Sequence, residues 1–298
     1  MPIQPACAYA IWRPVGILDR LTCIMEGNRV SEFAINDRVA NYGDGLFTTM
    51  AVRQGRIALF SRHVKRLCDN AERLAIPIDR TTLITQLRQA ALRCDTGTLK
   101  LLISAGVGGR GYARTQDSGA GFHFSFHQPP SQYAYWRQNG ISIGVSEIRL
   151  GHQPVLAGLK HTNRLEQVLI KNTMPSNVDD VVVCDTEQCI VEASAANLFW
   201  RVGKTWYTAD LALSGVAGVM REFVLEQLAA QGLRCEVGRY HIAGLTNANA
   251  MCVTNALMQV VPVHTWWYSS QRYPFNIAPV QQLADVCQSA YQSEYDDN

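Results

Sequence analysis

Apolar residues follow a helical spacing in the first part of this chain and a strand-like alternation after it. Five of them recur at helical intervals beyond position 61: Val64, Leu67, Cys68, Ala71 and Leu74. The spacing predicts a helix with one buried side, and Pro77 marks its end. A second helix is predicted over about 80–93, and strands are predicted at 98–104 and 121–127.

Strands and helices also alternate in the second part of the chain. Helices are predicted from 163 to about 171 and from within 215–221 to about 231. Strands are predicted at 141–146, 179–185, 190–192, 198–202, 205–208 and, with a polar interruption, 250–263.

The two parts are separated by Gln128-Pro129-Pro130-Ser131, a stretch that breaks regular structure. We therefore predict a smaller N-terminal α/β domain at 23–127, a linker at 128–135 and a larger C-terminal domain at 136–298. The predicted fold class is α+β, a mixed α/β arrangement in two blocks. Residues 1–22 are predicted to be an N-terminal extension, either an upstream translation start or a loose, disordered arm.

The composition is that of a soluble globular protein. The chain has 298 residues, of which 47% are apolar and 17% are charged, and its net charge is +2. This charge is too small to indicate binding to nucleic acid or to an anionic membrane. No apolar run approaches the roughly 20 residues that a membrane span needs. We therefore expect neither kind of partner.

The cysteines indicate a reducing compartment. There are nine, an odd number, and no C-x-x-C pair is present, so the sequence predicts neither a disulfide framework nor a zinc site. Buried or unreactive thiols in the cytoplasm are the simplest interpretation.

One lysine has a sequence context that suits covalent chemistry. Lys160 follows the apolar and small residues of 154–159 and precedes a polar, helix-forming segment. Loss of hydration lowers the pKa of a lysine and makes the neutral amine available. A neutral amine is what Schiff-base formation with an aldehyde requires. By itself the pattern leaves a second interpretation open, because most such lysines extend their ammonium group into water.

Three motifs relate the chain to a known family. They are Ala-Gly-Leu-Lys-His-Thr-Asn-Arg-Leu-Glu-Gln at 157–167, Tyr-Gly-Asp-Gly-Leu-Phe at 42–47 and Glu-Ala-Ser-Ala-Ala-Asn-Leu-Phe at 192–199. The first resembles the cofactor-lysine segment of aminodeoxychorismate lyases. These are pyridoxal-phosphate enzymes of fold type IV, like the branched-chain and D-amino-acid aminotransferases. The similarity runs from about Glu26 to about Val263.

The resemblance implies a fold, an activity and an assembly. It implies a two-domain fold type IV enzyme, like D-amino-acid aminotransferase, with pyridoxal 5'-phosphate as cofactor. The implied reaction converts 4-amino-4-deoxychorismate to 4-aminobenzoate and pyruvate, a step towards folate. The implied assembly is a homodimer with active sites near the subunit interface.

The resemblance also implies roles for individual residues. Lys160 would be the catalytic residue and bind the cofactor covalently, while Glu192 would accept a hydrogen bond from its ring nitrogen. The remaining cofactor-binding residues would surround the phosphate: Arg66, Val219, Met220, Asn255 and Ala256. Substrate contacts are predicted for one arginine and three hydroxyl-bearing residues: Arg110, Tyr112, Tyr42 and Thr48.

Three other functions remain open. An aminotransferase of the same fold, acting on D- or branched-chain amino acids, is the nearest. A protein that binds pyridoxal phosphate without turnover is the second, although it would be expected to have lost one of Lys160, Arg66 and Glu192. A nucleotide-binding protein is the third, because a glycine-rich loop at 106–112 follows a predicted strand. Its glycine spacing fits neither the dinucleotide fingerprint nor the P-loop.

Overall fold

The computed structural model describes residues 22–24, 34–108, 111–115 and 119–295, with the backbone alone at 22–24. They form seven α-helices: α1 (Arg38–Tyr42), α2 (Phe60–Arg73), α3 (Arg80–Cys94), α4 (Gln132–Asn139), α5 (Leu165–Thr173), α6 (Val219–Ala230) and α7 (Ala278–Tyr291). They form fourteen strands: β1 (Thr22–Ile24), β2 (Gly45–Arg53), β3 (Arg56–Ile57), β4 (Gly97–Ser104), β5 (Gly121–His127), β6 (Ile141–Val145), β7 (Asp180–Cys184), β8 (Ile190–Ala193), β9 (Asn197–Val202), β10 (Thr205–Ala209), β11 (Cys235–Gly238), β12 (Ala250–Asn255), β13 (Gln259–Tyr268) and β14 (Gln271–Pro274).

The first sheet has five strands in the order β1-β5-β4-β2-β3. Its central pairs are antiparallel, and β1 lies parallel to β5. Side chains of β2 alternate in burial, as expected for a strand whose two faces meet different surroundings. Helices α2 and α3 cover the apolar face and complete one core with Leu67, Leu83 and Leu99.

The second sheet is larger and mixed. Its strands follow the order β11-β10-β9-β12-β13-β6-β7-β8, with β14 paired to β13. Strands β6 and β7 and strands β6 and β13 are parallel, whereas β12 is antiparallel to both of its neighbours. Helices α6 and α7 pack against it around Phe199, Phe223 and Tyr291. The burial of such aromatic side chains dominates the energy of a core.

These elements confirm the predicted mixed α/β fold class. The predicted helix over about 80–93 is α3, and the predicted strand at 121–127 is β5. The single strand predicted at 250–263 is wrong, because the chain reverses after Asn255 and forms the hairpin β12-β13.

Two predictions about organisation stay predictions. The division into two domains corresponds in position to the two sheets, although α4 already begins at Gln132, inside the predicted linker. Apart from Thr22, the extension predicted at 1–22 lies outside the described residues.

Every helix in the described part of the chain is too short or too polar to cross a lipid bilayer.

The segment around Lys160 joins β2 of the first sheet to the loop before α6. A β-bridge joins His161 to Leu46 of β2, and another joins Gly158 to Val216, just before α6. Thr162 N–H donates to the Gly45 carbonyl at 3.0 Å. The lysine is therefore fixed by backbone contacts from both sides.

Candidate active site

A cavity of about 370 Å³ lies beside Lys160. Strand β2, helix α2, the Lys160 segment, β8 and the start of α6 all contribute to its wall. Six of the seven predicted cofactor residues line it: Lys160, Arg66, Glu192, Val219, Asn255 and Ala256. Residues far apart in the sequence are thus brought together at one concave surface, the usual form of a small-molecule site.

The amino group of Lys160 is poorly hydrated. Its Nζ atom lies 4.3 Å from the centre of the Phe47 ring. The pKa of this lysine is lowered to about 7, mainly by burial and also by the cations Arg66 and Arg164, while Glu192 opposes the shift. A substantial share of the amine is therefore neutral near pH 7 and able to react with an aldehyde or to accept a proton.

The Glu192 carboxylate is buried, with 5% of the residue exposed. Its Oε2 atom accepts a hydrogen bond from the Val216 N–H at 2.9 Å. Burial raises the pKa of Glu192, while the Val216 N–H and the cations Arg164 and Lys160 oppose this rise. Gly215 permits the approach, since it has φ +85° and a Cβ there would lie 2.6 Å from Val191 Cγ1. The carboxylate can accept a further hydrogen bond from a donor in the cavity.

Arg66 reaches the cavity from α2. Its Nη2 donates to Thr48 Oγ1 at 2.7 Å and its Nη1 to the Ala217 carbonyl at 3.4 Å. Its buried Nε has no hydrogen-bond partner, and burial lowers the pKa of this arginine to about 10. A guanidinium remains charged at that value and has donors left for an anion.

The start of α6 forms another part of the wall. Gly218 is the N-cap residue and supplies no side-chain cap, so the first N–H groups of the twelve-residue helix are not satisfied by it. The side chains of Val219 and Met220 are buried, with 2% and 1% exposed. Val219 lines the cavity and Met220 does not. Backbone N–H groups at a helix start favour anions.

The hairpin turn between β12 and β13 forms a further part of the wall. Asn255 Oδ1 accepts from the N–H groups of Leu257 and Met258 at 3.0 and 2.9 Å. Asn255 Nδ2 donates to the Ala195 carbonyl at 3.1 Å. These bonds explain the reversal of the chain, because an asparagine side chain that binds the next N–H groups replaces strand pairing with a turn.

The donors and charges of the cavity fit pyridoxal phosphate. Buried polar atoms without partners include Arg66 Nε, Thr254 Oγ1 and Ser194 Oγ, and all three residues line the cavity. The lining contains three cationic side chains and the single carboxylate of Glu192, which favours an anion. An amine for the aldehyde, an acid for the ring nitrogen and donors for the phosphate are therefore present.

Of the predicted substrate residues, the three that the structure describes do not line this cavity. Tyr42 and Tyr112 line a second cavity of about 380 Å³ with Arg38 and Arg114, and their ring centres are 5.4 Å apart. Thr48 contacts Arg66. The prediction for Arg110 lies outside the described residues.

Several cavity residues were not assigned from the sequence. Examples are Phe47, Arg164, Asn197 and Thr254. Arg164 carried a usable signal, because it lies in the same motif as Lys160 and is a cation. Thr254 carried little sequence signal, since threonine is common in strands.

Comparison with known proteins shows the family of the chain. The family described as "Amino-transferase class IV" matches residues 45–266. The chain therefore belongs to the class IV aminotransferase family, which depends on pyridoxal phosphate.

Two lyases and one aminotransferase are similar to the chain over most of its length. The chain is 37% identical to an aminodeoxychorismate lyase of Vibrio harveyi over 77% of this chain and 85% of that protein. A solved 4-amino-4-deoxychorismate lyase from Pseudomonas aeruginosa has a TM-score of 0.83 and 32% identity, covering 89% of this chain and 97% of that one. The branched-chain aminotransferase of Escherichia coli has the same fold, with a TM-score of 0.78 at 16% identity over 90% and 92% of the two chains.

Proposed function

We propose that this protein is a pyridoxal-phosphate-dependent aminodeoxychorismate lyase. It would convert 4-amino-4-deoxychorismate to 4-aminobenzoate and pyruvate, a step towards folate. One observation carries the proposal: a single cavity contains the desolvated amine of Lys160, the buried carboxylate of Glu192 and the guanidinium of Arg66. The similarity to lyases of Vibrio harveyi and Pseudomonas aeruginosa supports this substrate over an amino acid.

Seven residues of the chain would hold the cofactor. Lys160 Nζ would form the covalent bond, and Glu192 would accept a hydrogen bond from the ring nitrogen. Arg66 and the N–H groups of Val219 and Met220 would bind the phosphate, together with Asn255 and Ala256 of the hairpin turn. When bound, pyridoxal phosphate supplies an aldehyde carbon for amines and a protonated ring that accepts an electron pair.

The Lys160 amine also moves the protons of the reaction. When it is not bonded to the cofactor, this amine would be partly neutral, because its pKa is lowered to about 7. It removes the proton at C4 of the substrate as a general base. The ether bond to the neighbouring enolpyruvyl group then breaks, and the carbocycle becomes aromatic. Lys160 returns its proton to the departing group, so the two products contain all atoms of the substrate.

A coupled assay tests the proposal. The purified protein is supplied with a chorismate-aminating enzyme, chorismate and an amino donor, and 4-aminobenzoate and pyruvate are measured. We expect both products in equal amounts, and neither from Lys160→Ala. Amino exchange between an amino acid and a 2-oxo acid, without 4-aminobenzoate, would instead assign the aminotransferase function.

We also propose that the protein is a homodimer. Leu165, Val168 and Leu169 are 77%, 51% and 51% exposed, and their spacing places them on one side of α5. An exposed apolar stripe of this kind marks a contact surface. Light scattering should give twice 33.1 kDa for the wild type, and Val168→Glu should lower the measured mass towards the 33.1 kDa of a single chain. The control is Leu92→Glu, at an isolated exposed leucine of α3.

We propose the cytoplasm as the location of the protein. The seven cysteines whose side chains the structure describes are free thiols, which suits a reducing compartment. Fractionation of cells that express the full chain tests this location.

A further inference from the structure

Arg164 bonds to the backbone on both sides of Lys160. Its Nη2 donates to the carbonyl of Leu159 at 2.7 Å, and its Nε donates to the carbonyl of His161 at 2.8 Å. These are the residues immediately before and after the lysine. A guanidinium can do this because its N–H groups lie in one rigid plane and point in several directions.

Strand β2 also contacts the backbone of this segment. Phe47 N–H donates to the Lys160 carbonyl at 2.9 Å. Strand β2 thus holds the lysine's own carbonyl, while Arg164 holds the two carbonyls that flank it. Together they restrict rotation of the peptide units on both sides of Lys160, and the direction of its side chain depends on those units.

Arg164 also belongs to the cavity wall. Its charge lowers the pKa of Lys160 and the pKa of Glu192. The first effect favours a neutral amine, and the second favours an ionised carboxylate. One side chain therefore contacts the backbone that carries the lysine and influences both titrating groups of the cavity.

We infer that Arg164 is a positioning residue that fixes the backbone on both sides of Lys160, so that the amine is preorganised for the cofactor. The inference rests on the proposed cofactor role of Lys160. It gives Arg164 no contact with the reacting atoms. Preorganisation of this kind lowers the entropy that must be lost when a ligand binds.

The chain provides a matched control for the test. Arg73 also bridges two carbonyls of this loop, because its Nη2 donates to Val155 at 3.0 Å and to Ala157 at 3.1 Å. Unlike Arg164, it neither flanks Lys160 nor lines the cavity. Arg73→Gln therefore removes the same type of bridge at a position that the inference treats as unimportant for the lysine.

Two measurements are made on wild-type protein, Arg164→Gln, Arg164→Lys and Arg73→Gln. The first is amide hydrogen exchange over 159–163, with and without pyridoxal phosphate. The second is the dissociation constant of pyridoxal phosphate from its visible absorption. For Arg164→Gln we expect exchange at least threefold faster and a dissociation constant at least tenfold higher. Arg164→Lys, which keeps the charge but cannot bridge both carbonyls, should show the faster exchange with a smaller loss of affinity.

Arg73→Gln should stay within twofold of wild type in both measurements. The inference is wrong if Arg164→Gln also stays within twofold, or if Arg73→Gln changes as much as Arg164→Gln. Should Arg164→Gln not fold, Arg164→Lys decides by the same criteria. Exchange in the cofactor-free protein does not depend on the lyase reaction. A wild-type protein that makes no 4-aminobenzoate but shows the exchange contrast would therefore refute the proposed function alone.

Discussion

The hydroxyl oxygen of Thr48 lies 2.7 Å from Nδ1 of His63, and both residues are fully buried. The same oxygen accepts from Arg66 Nη2 at 2.7 Å. Since the guanidinium can only donate, the hydroxyl hydrogen is available for His63. Burial and the nearby cations Arg66 and Lys160 lower the pKa of His63, which favours the neutral ring, and the tautomer with an unprotonated Nδ1 accepts this hydrogen. A neutral histidine therefore orients the threonine, and the threonine orients the arginine proposed to bind phosphate.

Thr48→Val should weaken this arrangement without changing the shape of the site. The substitution leaves buried groups of His63 and Arg66 unpaired, at about 1–3 kcal/mol of unfolding free energy. It should also raise the dissociation constant of pyridoxal phosphate about tenfold, or about 1.4 kcal/mol. Urea denaturation and absorption titration measure the two effects.

Thr98→Val is the matched control. Thr98 is buried in the same sheet, but its hydroxyl has no hydrogen-bond partner. Its replacement should change neither quantity appreciably. Equal effects of the two substitutions would show that Thr48 does not support Arg66.

Lys160 should make the stability of the cofactor-free protein dependent on pH. Its pKa in the fold is about 7, against about 10.4 in the unfolded chain. Between these values the unfolded chain binds a proton that the folded chain lacks, so stability rises with pH. The slope approaches about 1.4 kcal/mol per pH unit within this window and disappears below pH 7.

Urea denaturation of the cofactor-free protein at pH 7, 8 and 9 measures this slope. Wild type is compared with Lys160→Met, so that the contributions of the other titrating groups to the pH dependence of stability cancel. Lys65→Met, at an exposed lysine paired with Asp69, should keep the wild-type slope. A constant difference between wild type and Lys160→Met across this range would mean that the amine keeps an ordinary pKa.

The resemblance to the family was sufficient to select Lys160, Arg66 and Glu192, which all line one cavity, and their roles stay predictions. Arg164 was missed although it lies four residues after the lysine. Nothing in a helical pattern indicates that its side chain turns back to carbonyls three and five residues earlier. The turn at Asn255 was missed for a different reason. Apolar residues continue on both sides of it, and only its own side-chain hydrogen bonds distinguish a hairpin from one long strand.

Glu192→Gln should separate activity from stability. The amide can still accept the Val216 N–H, but it cannot hold the ring nitrogen of the cofactor protonated. We expect turnover to fall at least 100-fold, within the range found when an electrostatic contact to the reacting system is removed. Burial raises the pKa of Glu192, so removal of the charge should leave the unfolding free energy equal or higher.

Steady-state kinetics and urea denaturation measure the two quantities. Glu187→Gln, at an exposed position just before β8, is the control and should keep full turnover. A strong loss of stability in Glu192→Gln would indicate that the carboxylate serves the fold as well as the cofactor.

Gly218→Ala should damage the start of α6. A Cβ at this position would overlap Asn197 Oδ1, and Asn197 Nδ2 donates to the Val216 carbonyl at 2.8 Å. The methyl group would displace either the asparagine or the first turn of the helix, and both lie at the cavity. We therefore expect a loss of about 1–3 kcal/mol of unfolding free energy and a dissociation constant of pyridoxal phosphate raised at least tenfold. Gly244→Ala, where a Cβ meets nothing within 4 Å, should change neither value. Wild-type affinity in Gly218→Ala would exclude the start of α6 from the phosphate site.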